Sequence, residues 1–413
     1  MELEVLKQHC TVEVWDMSSF VSPAFSRSLG SKQSSKREII AIESFSEFRS
    51  HVRELQKRSQ ENEVTILNAL GKETLYELRS KVLISRRLKR SVVAIIEIYN
   101  WGLPLYYRGW NSQATTSMGM LEKIKNISKS SLSFPELKKR IAAFVFSWLS
   151  GKVSSFITHK LVAGDDYLAM VQNAGGLHRP TIVFGHCQDY SNFFLSLTLG
   201  GPRPVVKEHT AILLDAPGPM FASDYVHLKR KVYLTSEVWY PAITAFFERL
   251  ESFANVKVKI AGHYKSSHPF IAECFGHREV HYNKTQELVK NCDIVITRSS
   301  SAVSYAVLFR KPILFIYSDQ LLEDELGLYH TFGMARMLGT EPINIDHIPA
   351  DLTAFLEVNE EKYAAYEKAC LTSTNTVRPN VQIILEDIMN IDTNDFFAPA
   401  AMAEQAALSI SNR

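Results

Sequence analysis

The stretch DIVITRSSSAVSYAVLFRKPILFI, residues 293–316, decides the fold. An apolar run (293–297) reads as a buried strand, Arg298-Ser299-Ser300-Ser301 as a polar hinge, and 301–309 as a helix of small residues. Lys311-Pro312 then leads into a second apolar strand, PILFIY (312–317). Strand, helix and strand joined by short loops make a parallel sheet covered by helices on both faces. Working outward, the same alternation continues in both directions. Upstream lie TAILLDA (210–216), a helix over 240–254, VKVKIAG (256–262), REVHY (278–282) and a helix over 285–292; downstream, helices are expected over 359–371 and around 381–390.

A second set of alternations precedes these. VEVWDM (12–17), EIIAI (38–42), EVTILNAL (63–70), SVVAIIEIY (91–99), KLVAG (160–164) and PTIVFGH (180–186) read as strands, with amphipathic helices over 44–60 and 74–90. The segment GGPRPVVKE (200–208), rich in Gly and Pro, divides the two sets. The reading is therefore α/β with two doubly wound domains: residues 1–203, residues 204–390, and a loosely ordered tail over 391–413. The chain opens with half a helix (Leu3 to Gln8), so the first strand of the first domain is expected to be missing.

Composition agrees with a two-core globular chain. Of 413 residues, 46 are Lys or Arg and 44 Asp or Glu, a net charge of +2. Residues 1–200 hold 26 of the basic and 18 of the acidic side chains, so the first half is +8 and the remainder −6. The halves face different partners, and the basic half suits an anionic acceptor or membrane. Five scattered cysteines with no C-x-x-C argue against a disulfide framework or structural zinc. No signal peptide stands at the start, and the most apolar helical run, 141–149, is far short of the roughly 20 residues of a bilayer span. Cytoplasmic location is the expectation, with contact at the inner face of the cell membrane. The helix expected from Phe134-Pro135 through Lys138, Lys139, Arg140 and toward Lys152 and Lys160 has two readings: a core helix with a solvated basic end, or a bilayer-surface helix.

The chemistry is bounded first by absences. No G-x-G-x-x-G, G-x-x-x-x-G-K-[ST], G-x-S-x-G or H-E-x-x-H occurs, and no D-x-D. Dinucleotide oxidoreductases, P-loop enzymes, these hydrolases and zincins drop out, and no catalytic metal or resident cofactor is expected. The candidates lie at the carboxyl ends of strands, where open α/β sheets bind ligands. Backbone N–H groups and hydroxyls at Arg298, Ser299, Ser300 and Ser301 suit a phosphate, unless one serine only caps the helix. His263 and Lys265 follow the strand 256–262. Asp215 follows 210–214 and reads equally as a general base or as a loop holder accepting backbone N–H bonds. In the first domain His186 and Asp189 are expected to face the same cleft.

These residues resemble a GT-B glycosyltransferase of bacterial surface-polysaccharide synthesis, in the sialyl- and Kdo-transferase-like group. Stretches that read F-L-D-E, A-A-H-P-R, K-T-A-E-L-V and H-S-S-T-A-I-S-F-A-V-L-F-x-K-P in that group stand here as LLDA (213–216), AGHYK (261–265), KTQELV (284–289) and RSSSAVSYAVLFRKP (298–312). The resemblance covers nearly the whole chain, most clearly 210–317. It implies two Rossmann-like domains with a cleft between them and a donor held by the second. It also implies a metal-independent transfer, with a CMP-linked sugar as one donor, to a surface polysaccharide or lipid-linked glycan. Nucleic acid is not an expected partner. Asp215 would be the base and His263 a catalytic contact to the nucleotide; Lys265, Lys284, Thr285, Arg298 and Ser299 to Ser301 would hold the donor, with His186 and Asp189 on the acceptor side. Ala216 stands where the group has a second acid, leaving Asp215 alone in that role. Two alternatives stay open: a nucleotide-sugar 2-epimerase-like enzyme, and a non-catalytic subunit of a polysaccharide synthesis complex, for which Ala216 and Tyr264 argue.

Overall fold

A computed structural model of the chain describes residues 2–21, 39–68, 75–100, 102–104, 156–173, 179–199, 208–216, 219, 231–263, 271–374, 376–393 and 397. Its twelve strands are β1 Val14–Asp16, β2 Ile39–Ala41, β3 Thr65–Asn68, β4 Ala94–Tyr99, β5 His159–Val162, β6 Thr181–Phe184, β7 Thr210–Leu214, β8 Lys257–Gly262, β9 Val280–Tyr282, β10 Ile294–Thr297, β11 Ile313–Tyr317 and β12 Ile343–Asn344. All pairings between them are parallel. The Val- and Ile-rich runs became strands because both sheet faces are covered, and a strand buried on both sides has no polar face to alternate with.

The second domain carries a six-stranded sheet in the order β12-β11-β10-β7-β8-β9. From β7 the chain steps outward through β8 and β9, then returns to the other side of β7 for β10, β11 and β12, the 3-2-1-4-5-6 order of a doubly wound sheet. Alternate residues face opposite sides. Ile212, Leu214, Val295, Ile313 and Phe315 share one core with Val303, Ala306, Val307 and Met334. Ala211, Leu213, Ile260, Ile294, Ile296 and Leu314 share the other with Trp239, Ile243, Phe246, Phe247 and Leu250 of the helix Ser236–Ala254.

In the first domain the four-stranded sheet runs β3-β4-β5-β6 in chain order, with β1 and β2 paired separately. The helix Phe45–Arg58 begins on a side-chain cap: Ser44 Oγ accepts the Glu47 N–H at 3.2 Å, while Glu47 Oε2 reaches back to accept the Glu43 N–H, one residue before the cap, at 2.9 Å. Its Phe48 and Val52 enter a core with Ile42, Ile84, Leu88 and Ile95.

One boundary differs from the sequence reading, which ended the second domain at residue 390. Ile383, Ile384 and Ile388 pack on Ala94, Ile96, Leu161 and Val183 of the first sheet, and Val381, Leu385 and Phe397 pack with Val5, Leu6 and Leu195. The physical reason is that, among the described residues, these side chains supply the apolar cover of one face of β4, β5 and β6. The chain crosses back near residue 372, where His186 and Thr372 form an isolated antiparallel bridge. The crossing is tight: Gly164 has φ +87°, and a Cβ there would come within 3 Å of the Ala369 and Cys370 backbone. Lys160, read as the basic end of a surface helix, lies in β5 with its ammonium 5.1 Å from the Tyr99 ring centroid. The rest of that expected helix, 134–155, falls outside the described residues. The architecture is thus α/β with two parallel-sheet domains as expected; the second sheet is doubly wound, and the four described strands of the first run in chain order. No helix among the described residues is long and apolar enough to cross a membrane.

Candidate active site

The order of the second sheet fixes where a ligand can sit. A doubly wound sheet opens a crevice at the carboxyl ends of the two strands where the chain reverses direction; here these are β7 and β10. Leu214 pairs with Thr297 on one side and with Ala261 on the other. The residues that follow, Asp215, Arg298 and Gly262-His263, therefore leave the sheet side by side, about 5 Å from strand to strand.

Backbone bonds join two of these exits. The Asp215 N–H donates to the Ala261 carbonyl at 3.1 Å, and the His263 N–H donates to Asp215 Oδ2 at 3.4 Å. The loop-holding contact considered for Asp215 thus exists, and it engages one carboxylate oxygen. On the far side of β8, burial and the nearby Asp215 carboxylate both raise the Tyr282 phenol above its ordinary pKa. Gly262 is what lets these strand ends close up, because a Cβ on it would meet the Tyr282 ring at 2.7 Å and Val280 at 2.8 Å.

On the other side of Asp215, Arg298 is only 8% exposed and its guanidinium lies 6.0 Å from the Trp239 ring. That places a fixed positive charge against an aromatic face just past the carboxyl end of β10. Thr297, just before it, is fully buried, and its hydroxyl has no hydrogen-bond partner. The hinge is a turn rather than an open loop. Ser300 Oγ accepts the Ala302 N–H at 3.3 Å, and the Ser300 carbonyl accepts the Val303 N–H at 3.2 Å. Ser300 thus does some of the capping work that a single serine would explain, while Ser299 and the exposed Ser301 have no such bond. Lys284 and Thr285 start the helix Thr285–Asn291 after β9 at the same sheet edge. Lys265 falls outside the described residues. No group of three or more His, Cys, Asp or Glu among the described residues is placed to hold a metal ion.

His186 needs correction, since it does not face an open cleft, and Asp189, half-buried, is engaged at the junction of the domains. His186 is fully buried. Its ring stacks on Tyr190 at 4.9 Å, with Nδ1 3.0 Å from Thr372 Oγ1 and Nε2 3.1 Å from the Arg378 carbonyl. A carbonyl only accepts, so Nε2 carries the proton. Burial lowers its pKa to about 4, which keeps the imidazole neutral. Unfolding restores a pKa near 6.5, so the unfolded chain binds the extra proton between those values. The stabilisation from neutral His186 is complete above pH 6.5 and is lost as pH falls toward 4, by up to about 3 kcal/mol. Urea unfolding at pH 7.5 and 4.5 should show this loss in the native chain and not in a folded His186→Gln variant; equal losses in both would refute it.

Asp189 begins the helix Gln188–Leu199, which packs on the helix Val303–Leu308 that follows the serine turn. Its carboxyl meets Ser304 Oγ and the Tyr305 hydroxyl. Around it the junction of the domains is polar and aromatic. Gln286 Nε2 donates to Ser196 Oγ at 2.7 Å, Phe193 meets Phe309 edge-on at 5.3 Å, and the Tyr190 hydroxyl donates to Glu367 at 3.0 Å. Strand-end position was the signal that singled out Asp189 in the sequence; its partners on the other domain carried none. Trp239, Tyr282 and Thr297 were not among the expected site residues at all, since an aromatic ring or a threonine in an apolar run reads as core.

Among solved structures, the chain resembles the glycotransferase of kitacinnamycin (11% identity, 94% of each chain covered, TM-score 0.44). It resembles S. aureus MnaA in complex with UDP (11% identity, 92% of this chain and 98% of that one, TM-score 0.45). A UDP-N-acetylglucosamine 2-epimerase is similar over 84% of this chain and 76% of its own (14% identity, TM-score 0.42). No family model matches the chain, and no curated protein matches it.

Proposed function

We propose that the chain is a glycosyltransferase that takes a sugar from a nucleotide donor and passes it to a surface polysaccharide or lipid-linked glycan, without a metal. The observation that carries this reading is the reversal between β7 and β10, which sets a carboxylate, Asp215, beside an arginine and three serines, Arg298 to Ser301. A buried arginine and hydroxyl-rich turn suit the phosphate of a departing nucleotide, and an adjacent carboxylate suits the proton of an incoming hydroxyl. In that scheme Asp215 takes the acceptor proton as its oxygen attacks the anomeric carbon. Arg298 and the serine turn stabilise the charge that collects on the leaving phosphate, with Lys265, Lys284 and Thr285 at the rim. His263, joined to Asp215 by its backbone, turns its ring toward the nucleotide. One displacement of this kind inverts the anomeric centre. A CMP-linked donor remains the choice the motif resemblance favours.

A thermal-shift panel of nucleotides and nucleotide sugars tests the first half, since a ligand that binds only the folded state raises stability. Ser300→Ala with Ser301→Ala should then weaken binding by about 1 to 3 kcal/mol, the worth of hydrogen bonds to a charged group. Unchanged calorimetric affinity in the folded double variant would remove the phosphate from this turn. Product analysis separates transfer to a glycan from epimerisation of the donor sugar itself.

A further inference from the structure

The serine turn is not supported by its own domain alone. Ser304, four residues past Ser300 and fully buried, places its hydroxyl oxygen within hydrogen-bond reach of two acceptors: a carboxylate oxygen of Asp189 on the first domain, and the Ser301 carbonyl at 3.0 Å. A hydroxyl has one proton to give. When Asp189 is ionised, the charge-assisted bond takes that proton. The Ser301 carbonyl then keeps only the long 3.3 Å bond from the Ser304 N–H. When Asp189 holds a proton of its own, it donates to Ser304 Oγ, and Ser304 is free to donate to the Ser301 carbonyl. Both acceptors are then satisfied and the turn is tied at its last residue.

The surroundings leave this choice to Asp189. The Tyr305 hydroxyl also bonds to its carboxyl, with the Asn192 side chain behind it. The Cys187 thiol nearby is buried and kept neutral. Of the other charged groups on elements packed here, Glu367 is engaged by Tyr190 and Arg310, and Glu2 by Gln188 and Ser191. Glu287 and Lys290 on the helix Thr285–Asn291 face water. No cation is bonded to Asp189, and burial pushes its pKa up to about 6.

We propose that Asp189 is a positioning residue of the first domain that, through Ser304, sets how firmly the serine turn Arg298–Ser301 is held and hence how tightly that turn binds a nucleotide. This rests on the reading that the turn holds the donor phosphate. The Asp189 carboxyl touches no substrate; it acts on the turn through one shared proton, and does so from the domain opposite.

Calorimetric titration with UDP and with CMP at pH 5.5 and 7.5 tests it on three proteins: the native chain, Asp189→Asn and Ser304→Ala. An asparagine amide donates to Ser304 Oγ at every pH, as protonated Asp189 does. Going from pH 5.5 to 7.5, the native chain should lose about 3- to 10-fold more affinity than Asp189→Asn, the worth of one hydrogen bond. Protonation of the ligand, and of groups the proteins share, cancels in that comparison. Ser304→Ala, which keeps the carboxylate and removes the shared proton, should flatten the pH dependence equally. A native-like pH dependence in either variant overturns the proposal, and Ser304→Ala decides the matter if Asp189→Asn does not fold. If neither nucleotide binds any of the three proteins, the donor-site reading is what fails, and thermal unfolding then decides the latch. A gain in Tm from Asp189→Asn confined to pH above 6 supports it; an equal shift at both pH values overturns it.

Discussion

Asp215→Asn is expected to lower turnover about 100-fold or more, the usual scale for loss of a general base, while leaving nucleotide affinity nearly unchanged. Asparagine is the informative replacement because two structural duties of Asp215 survive it. Its backbone N–H still donates to the Ala261 carbonyl, and an amide oxygen still accepts the His263 N–H where Oδ2 did. What disappears is the capacity to take a proton. Ala216 offers no second acid next in sequence. Of the first-domain residues expected to face the cleft, His186 is buried against the returning chain and Asp189 is engaged by Ser304 and Tyr305. The two quantities should be measured on one preparation, product formation by initial rates and affinity by calorimetry. Near-native turnover with an intact fold would return Asp215 to holding the loop.

The largest effect on stability is expected at Asn380. It is 2% exposed, and its side chain pairs with the His186 backbone in both directions: Oδ1 accepts the His186 N–H at 2.9 Å and Nδ2 donates to the His186 carbonyl at 2.8 Å. Its own N–H donates to Ser191 Oγ at 2.8 Å. The pair imitates one rung of a sheet between two segments 194 residues apart. Asn380→Ala leaves a buried donor and a buried acceptor without partners, each costing about 1 to 3 kcal/mol, so a loss of roughly 2 to 5 kcal/mol is expected in urea unfolding. Asn380→Asp should do no better, since a carboxylate cannot donate to the carbonyl and brings a charge into the interior. A loss below 1 kcal/mol in the alanine variant would mean water replaces both bonds.

The strands of both domains were legible because burial on two faces leaves a plain mark, uninterrupted Val, Ile and Leu, as in TAILL (210–214) and ILFIY (313–317). Their lateral order was not. Nothing in the residues of β7 says that β10, whose paired residues lie 83 positions on, sits beside it rather than β9, and the crevice follows from that order. The carboxyl-edge rule placed Asp215, Arg298 and the serines where they are found, yet it failed for His186 and Asp189. A residue after a strand reaches the sheet edge, but what then packs over it is decided elsewhere in the chain. For His186 the cover is Thr372, Arg378 and Asn380; for Asp189 it is a helix of the other domain. Asp189 also carried a local signal, an acid in the first turn of the helix Gln188–Leu199, which by itself reads as a favourable charge at a helix start.

The return of residues 380–393 and Phe397 to the first domain has a consequence for the order of events when the chain is made. The second domain is contiguous, from β7 to the helix Glu360–Tyr366, and is set into the first like an insert. Domains fold as units and usually in the order of synthesis, but here that order is reversed. All six strands of the later sheet have left the ribosome before Ile383, Ile384 and Ile388 emerge to cover β4, β5 and β6. The domain begun first is completed last, and until then the apolar residues of β4, β5 and β6 that meet Ile383, Ile384 and Ile388 wait for those partners.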